Sequence, residues 1–198
     1  MGNLNRFNLQ ELKQKYNIPV FFETGTARGD GVKYATQFDF QKIISVEIVQ
    51  EQTKLLQEMF KSDSRVEIIC NNSYDAIKQT VPGINENIMF WLDAHYPGAD
   101  LKENSSERIF AYMEEKNDDI RMPLEKELML IRDIRKGKDV ILLDDLNLYV
   151  NHGGRINADG YFLKPRQKFS SETFFIDILK ESHNFEWIGD TQGVLTPK

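Results

Sequence analysis

The residues best suited to chemistry stand where short apolar runs of the chain end. They are acids, amides, a serine and one histidine, in the order Glu23, Glu47, Asn71, Asn72, Ser73, Asp93, His95, Asp144 and Asp145. Carboxylates bind hard cations and accept hydrogen bonds from hydroxyl groups, and a histidine can take up a proton near neutral pH. If the ends of these runs meet in space, the sequence predicts a binding or catalytic site there.

A loop containing glycines follows the first of these acids. Gly25, Gly29 and Gly31 come directly after the run that ends at Glu23, and glycine lets the backbone approach a ligand without a Cβ atom in the way. Their spacing differs from the G-x-G-x-x-G pattern that binds the pyrophosphate of a dinucleotide. Glu47 stands at the distance typical of an acid that binds both ribose hydroxyls. The pattern therefore predicts a site for a nucleoside without phosphates.

Alternating strands and helices would bring these residues together. Strands are predicted at 20–23, 42–47, 65–70, 87–92 and 139–143, and two more near 185–189 and 193–196. The pattern predicts an α/β fold, a Rossmann-like doubly wound sheet of about seven strands, mostly parallel, with helices on both faces. The last two strands are close enough in sequence to form a C-terminal antiparallel hairpin. Ligands bind beyond the carboxyl ends of the strands in such a sheet, so the polar residues would share one rim.

The rest of the chain is predicted to extend this single domain, 1–198. A helical extension is expected at 1–18, where Leu9, Leu12 and Tyr16 have helical spacing. Two long polar segments, 96–121 and 146–168, are predicted to be insertions that form the acceptor site, because long loops on such folds commonly carry binding residues.

Two predictions concern which helical side chains face the core. The helix at 49–60 is expected to direct Leu55, Leu56 and Met59 inward. Glu125 and Glu127 lie at the start of a later helix, which could face the site, but a solvated face is the favoured interpretation.

Composition and charge limit the classes of partner. The net charge of −6 over 198 residues argues against a nucleic-acid partner, although Lys164, Arg166 and Lys168 form a small basic cluster. The single cysteine, Cys70, is expected to be buried and reduced. No run approaches the roughly 18 apolar residues of a membrane span, and the N-terminus lacks the apolar core of a signal peptide. We therefore expect a soluble, cytoplasmic protein without a membrane partner; its oligomeric state stays open, a homodimer being one alternative.

The ordered set of motifs resembles the class I S-adenosylmethionine-dependent methyltransferases over residues 20–198. The resemblance implies S-adenosylmethionine as the cofactor. It places the glycine loop under the methionine part, the acid after the second strand at the ribose and the third-strand turn at the adenine, although Asn72 replaces the usual aspartate of that turn. Carried over to this chain, the cofactor-binding residues are Glu23, Gly25, Thr26, Gly29, Glu47, Asn72, Ser73 and Asp93.

Within that class, the motifs Asp93-Ala-His95 and Val-Ile-Leu-Leu-Asp144-Asp145 look like those of the metal-dependent O-methyltransferases of the macrocin and novobiocin sugar type. The resemblance implies that Asp93, Asp144 and Asp145 hold Mg²⁺, which suits a hard cation with open positions. It also implies a general base two residues after the first carboxylate, here His95, where the family more often has aspartate. The implied reaction is O-methylation of a hydroxylated small molecule, such as a sugar or polysaccharide precursor.

Other interpretations of the same residues stay open. Asp144 could cap the loop after its strand, Asp145 could simply be exposed, and His95 could be a structural residue that donates to a backbone carbonyl. The substrate could instead be RNA or protein, or the chain could be a non-catalytic interaction domain that binds the cofactor. A nicotinamide enzyme is disfavoured by the glycine spacing.

Overall fold

A computed structural model describes residues 3–95, 97–98, 101–102, 104, 107, 116–149 and 169–198. Most of the two predicted insertions, 96–121 and 146–168, falls outside these described residues, as does the basic cluster of Lys164, Arg166 and Lys168. No helix among the described residues is long and apolar enough to cross a membrane.

One seven-stranded sheet organises the described chain. Its strands are β1 (Val20–Thr24), β2 (Lys42–Glu47), β3 (Val66–Cys70), β4 (Ile88–Leu92), β5 (Val140–Leu143), β6 (His183–Ile188) and β7 (Gln192–Pro197). Their order is β3-β2-β1-β4-β5-β7-β6. Strands β1 to β5 pair in parallel, and β7 pairs antiparallel with both β5 and β6. The predicted fold class is thus confirmed, including the C-terminal hairpin.

The helices connect these strands. They are α1 (Leu9–Lys15), α2 (Asp30–Ala35), α3 (Gln50–Phe60), α4 (Ser73–Thr80), α5 (Asp118–Arg121), α6 (Leu124–Arg135) and α7 (Phe174–Asp177), with short 3-10 turns at Leu4–Arg6, Val81–Gly83 and Leu146–Leu148. Several of these helices begin or end at a capping residue. Asn8 accepts a hydrogen bond from the Glu11 N–H at the start of α1, whereas Lys136 and Gly137 take left-handed conformations after α6.

Apolar layers cover both faces of the sheet. On one face, Phe22 and Phe90 pack with residues of α4 and α6. On the other, Phe21 packs with Phe40 and with residues of α2 and α3. The central strands β1 and β4 are buried along their whole length, as expected for parallel strands covered on both sides.

The predicted inward face of the helix at 49–60 was wrong in two of its three positions. Leu56 is fully buried, but Leu55 is 63% and Met59 51% exposed. The face that contacts the sheet instead contains Thr53, Leu56 and the partly buried Phe60, which follow each other at intervals of three and four residues. Leu55 and Met59 form a second apolar stripe that points away from the sheet.

Two further predictions need correction. Cys70 is exposed, because β3 is an edge strand of the sheet and only Ile68 of that strand is buried. The N-terminal extension is not one continuous helix. Leu4 and Phe7 are buried around a 3-10 turn, and α1 begins only at Leu9.

Candidate active site

The register of the strands brings the predicted site residues to one rim. Thr24 of β1 is level with Val46 of β2 and with Leu92 of β4, and Leu92 is level with Leu143 of β5. The residues that come next are therefore neighbours at the carboxyl edge: Gly25, Glu47, Asp93 and Asp144. Strand order reverses between β1 and β4, which is where an open α/β sheet forms its ligand crevice.

Gly25 cannot be replaced by a larger residue without moving the rim. Its φ is +84°, a left-handed conformation, and a Cβ atom built there would lie 2.7 Å from the Asp93 carbonyl oxygen. The N–H groups of Gly25 and Thr26 both donate to the Val46 carbonyl, at 3.0 and 3.1 Å. The loop is thus held between the ends of β2 and β4.

The Glu47 carboxylate is fixed by two backbone N–H groups. Oε2 accepts from Ala27 at 2.9 Å and Oε1 accepts from Val49 at 2.8 Å. The first bond ties the glycine loop to β2, and the second ties β2 to the start of α3. Glu47 is therefore held rigidly at the rim.

Glu23 lies beneath the glycine loop in a buried polar network. Ser45 Oγ donates to Glu23 Oε2 at 2.5 Å, and the Thr26 hydroxyl lies 2.6 Å from Ser45 Oγ. A Cβ atom at Gly31 would meet Glu23 Oε1 at 1.8 Å, so the carboxyl group occupies the space that this glycine leaves. Burial raises the pKa of Glu23 to about 8, although the Ser45 hydrogen bond lowers it. The group is therefore mostly neutral at pH 7.

A cavity opens above the loop at this rim. It holds about 580 Å³ of empty space, counted with its open mouth. Of the predicted site residues, Gly25, Glu47, Asn72, Ser73, Asp93 and His95 line it. The structure does not place Glu23, Thr26 or Gly29 on this wall: the first two form the network below, and Gly29 packs against Leu56 and Phe60.

The wall also has residues that the sequence did not single out. Ile48, Leu101 and Ile120 supply apolar surface beside Asn71 and Asn72. The Asn72 side chain itself caps α4: its Oδ1 accepts from the Asp75 N–H at 2.9 Å, and its Nδ2 donates to Asp75 Oδ2 at 2.7 Å. Its amide is thus turned toward the helix.

Asp93, His95 and Asp145 form a compact group beside the cavity. One ligand atom of each lies within 4.8 Å of the others. His95 Nδ1 is 3.0 Å from the Asp93 carbonyl oxygen, and Nε2 is 3.1 Å from Asp145 Oδ2. Burial raises the pKa of Asp145, but the hydrogen bond and charge of His95 outweigh it, so the pKa lies below its usual range. Asp145 adopts a left-handed backbone conformation with φ +47°.

Asp144 lies outside that group. Its Oδ1 accepts from Gln192 Nε2 at 2.8 Å, which β7 brings to the end of β5. Its Oδ2 is buried and has no hydrogen-bond partner among the described residues. Burial, together with the charge of Asp145, raises the pKa of Asp144 to about 6.

The prediction that Glu125 and Glu127 are solvated was wrong. Glu125 is buried and its Oε1 accepts from the Ser170 N–H at 2.8 Å. Glu127 is fully buried, and burial raises the pKa of its carboxyl group to about 7. The signal was present in the sequence, because Glu127 lies three residues after Leu124 and four before Ile131, both of which face the core.

Comparisons with known proteins show which solved structures share this fold. No protein-family model matches the chain, and no curated protein matches its sequence. Solved structures do match, at low identity. The O-methyltransferase TomG from Streptomyces achromogenes, involved in tomaymycin synthesis and solved with S-adenosylmethionine, has a TM-score of 0.58 and 11% identity, with 100% of this chain and 82% of that chain covered.

Two further solved structures match the fold of this chain. An O-methyltransferase from Bacillus cereus, solved with S-adenosylhomocysteine, has a TM-score of 0.56 and 11% identity over 99% of this chain and 82% of that one. A methyltransferase from Aquifex aeolicus that depends on S-adenosylmethionine has a TM-score of 0.55 and 12% identity over 97% and 89%. The chain therefore has the Rossmann-like fold of the class I S-adenosylmethionine-dependent methyltransferases.

Proposed function

We propose that the protein is an S-adenosylmethionine-dependent O-methyltransferase that acts on a hydroxylated small molecule, such as a sugar or polysaccharide precursor. The observation that carries the proposal is the cavity at the strand-order reversal, where Gly25, Glu47, Asp93 and His95 meet. The solved O-methyltransferases of the same fold, two of them with S-adenosylmethionine or S-adenosylhomocysteine, support it.

Each part of the cofactor has a candidate partner. Glu47, held by two N–H groups, would accept hydrogen bonds from the ribose hydroxyls. The apolar side chains of Ile48, Leu101 and Ile120 would contact the adenine, with Asn72 and Ser73 at its edge. Gly25 would lie against the methionine part, while Glu23, Thr26 and Gly29 would support the loop from below.

The carboxylates beside the cavity fit a divalent cation. The ligand atoms of Asp93 and Asp145 converge, together with His95, and the neighbouring Asp144 has a buried Oδ2 without a partner among the described residues; these carboxylates would supply the hard donors that such an ion prefers. Asp93, Asp144 and Asp145 would hold Mg²⁺. When bound, the ion would lower the pKa of an acceptor hydroxyl.

His95 is placed to accept the hydroxyl proton. In the neutral tautomer in which Nδ1–H donates to the Asp93 carbonyl, Nε2 would carry the lone pair, and its hydrogen bond to Asp145 would form only once Nε2 has taken up the proton. The acceptor oxygen would attack the sulfonium methyl group in line, while Nε2 takes up its proton. Asp145, 3.1 Å from Nε2, would stabilise the resulting imidazolium.

Calorimetry with S-adenosylhomocysteine tests the cofactor assignment. We expect a single site, and we expect Glu47→Ala to weaken binding at least roughly ten-fold because a charged hydrogen-bond acceptor is lost. Glu51→Ala, at an exposed position of α3, is the matched control. Absence of binding at millimolar ligand would contradict the proposal.

A further inference from the structure

Glu127 is a buried acid that the proposed mechanism does not use. It is 0% exposed. Its carboxylate oxygens make no hydrogen bond of good geometry among the described residues, and the Ser73 and Thr24 hydroxyls, which lower its pKa as hydrogen-bond donors, carry no charge. Removing a carboxylate from water without a partner is costly. A glutamate in this position therefore calls for a compensating positive charge.

The surroundings of Glu127 place it directly behind the cavity wall. Its polar neighbours are the hydroxyl groups of Ser73 and Thr24 and, at longer range, the imidazole of His95. Ser73 and His95 both line the cavity, and Thr24 is the last residue of β1, next to Gly25.

No side chain of the described chain neutralises Glu127 by direct contact. His95, whose charge lowers the pKa of Glu127, already contacts the Asp93 carbonyl through Nδ1 and Asp145 through Nε2. Apart from the metal ion proposed at Asp93, Asp144 and Asp145, the cation that Glu127 serves would therefore come with the ligand in the cavity.

We propose that Glu127 is a specificity-determining residue that favours a ligand with a sulfonium centre, S-adenosylmethionine, over the neutral thioether of S-adenosylhomocysteine. This inference rests on the proposed function. The two ligands share their ammonium and carboxylate groups, so the sulfonium is the only difference in charge between them that Glu127 could sense. A sulfonium has no N–H or O–H to donate, and it responds to the field of a carboxylate through the wall, where the low dielectric preserves the attraction.

The charge of Glu127 should affect the KM for S-adenosylmethionine but not kcat. The sulfonium loses its charge as the methyl group leaves, so Glu127 stabilises the bound substrate more than the transition state. Removing its charge should raise KM for S-adenosylmethionine without lowering kcat. It should also remove the difference in affinity by which the neutral product, S-adenosylhomocysteine, is bound more weakly than S-adenosylmethionine.

Calorimetric titration of Glu127→Gln at pH 8, with S-adenosylmethionine and S-adenosylhomocysteine as separate ligands, tests the inference. We expect S-adenosylmethionine to bind roughly ten-fold more weakly than to the unmodified protein, because the attraction of one unit charge is lost at an effective dielectric constant of about 20. The affinity for S-adenosylhomocysteine should change less than about two-fold. Asp133→Asn makes the same chemical change on the exposed face of α6 and should leave the ratio of the two affinities unchanged.

The outcomes separate the two proposals. Failure of the unmodified protein to bind either ligand would overturn the proposed function. Binding of both ligands with an unaltered affinity ratio in Glu127→Gln, including equal weakening of both, would overturn only the role of Glu127. If thermal unfolding shows that Glu127→Gln does not fold, Glu127→Met, of similar length and with no polar group to bury, is judged by the same ratio.

Discussion

Replacing Glu23 by glutamine should change how the stability of the protein depends on pH. The Glu23 carboxyl has its pKa raised from 4.5 to about 8 by burial, so the folded protein binds its proton more tightly than the unfolded chain does. Below about pH 4.5 the group is neutral in both states and costs nothing. As the pH rises toward 8 the unfolded chain releases the proton first, and the folded state loses about 1.4 kcal/mol of stability per pH unit.

The size of the effect follows from the same two pKa values. At pH 7 the loss amounts to about 3 kcal/mol, and above pH 8 it stops growing. Glutamine keeps an oxygen that can accept the Ser45 hydrogen bond but has no proton to lose. The free energy of unfolding of Glu23→Gln, relative to that of the unmodified protein, should therefore rise steadily between pH 5 and pH 8.

Urea denaturation of both proteins at pH 5, 6, 7 and 8 measures this difference. Glu127 also titrates in this range, but it is present in both proteins and its contribution cancels in the comparison. Glu58→Gln, at an exposed position of α3, should show no such trend. A Glu23→Gln difference that is constant with pH would refute the conclusion that a buried, neutral carboxyl supports the glycine loop.

Two other perturbations test the rim. Gly25→Ala should weaken S-adenosylhomocysteine binding at least roughly ten-fold, because φ is +84° and the new methyl group would meet the Asp93 carbonyl; unchanged affinity by calorimetry would contradict the geometry. Asp144→Ala should abolish high-affinity binding of Mn²⁺, used as a paramagnetic substitute for Mg²⁺ and followed by electron paramagnetic resonance, while S-adenosylhomocysteine still binds. Equal Mn²⁺ binding by the variant, or equal activity with EDTA present, would remove the metal from the proposal.

The sheet could be predicted from the sequence because each strand carries its own signal. The run at 42–47 coincides with β2, and the others differ from their strands by a residue or two. Fully buried parallel strands appear as short continuous apolar runs, and the helices between them force the parallel order. Because the strands are parallel, their carboxyl ends lie at the same edge of the sheet, and the acids that follow them therefore share one rim.

The orientation of individual side chains could not be read in the same way. Asp144 and Asp145 are adjacent acids, yet one turns to Gln192 and the other to His95. The first contact depends on a β5–β7 pairing across 48 residues of chain, and the second on a left-handed backbone at Asp145. Glu127 differs from its prediction for another reason: its charge favours a solvated position, whereas its helical spacing from Leu124 puts it on the buried face.

The acids at the rim can lie close together because the negative charge of each is reduced or stabilised in a different way. Glu23 is kept neutral by burial, and Glu47 is held by two backbone N–H groups. Asp145 pairs with His95. Asp144 and Glu127 are left with buried oxygens that no described residue satisfies. Uncompensated buried carboxylates destabilise a protein. A cationic cofactor in the cavity, with a divalent ion beside it, would supply the positive charge that these carboxylates lack.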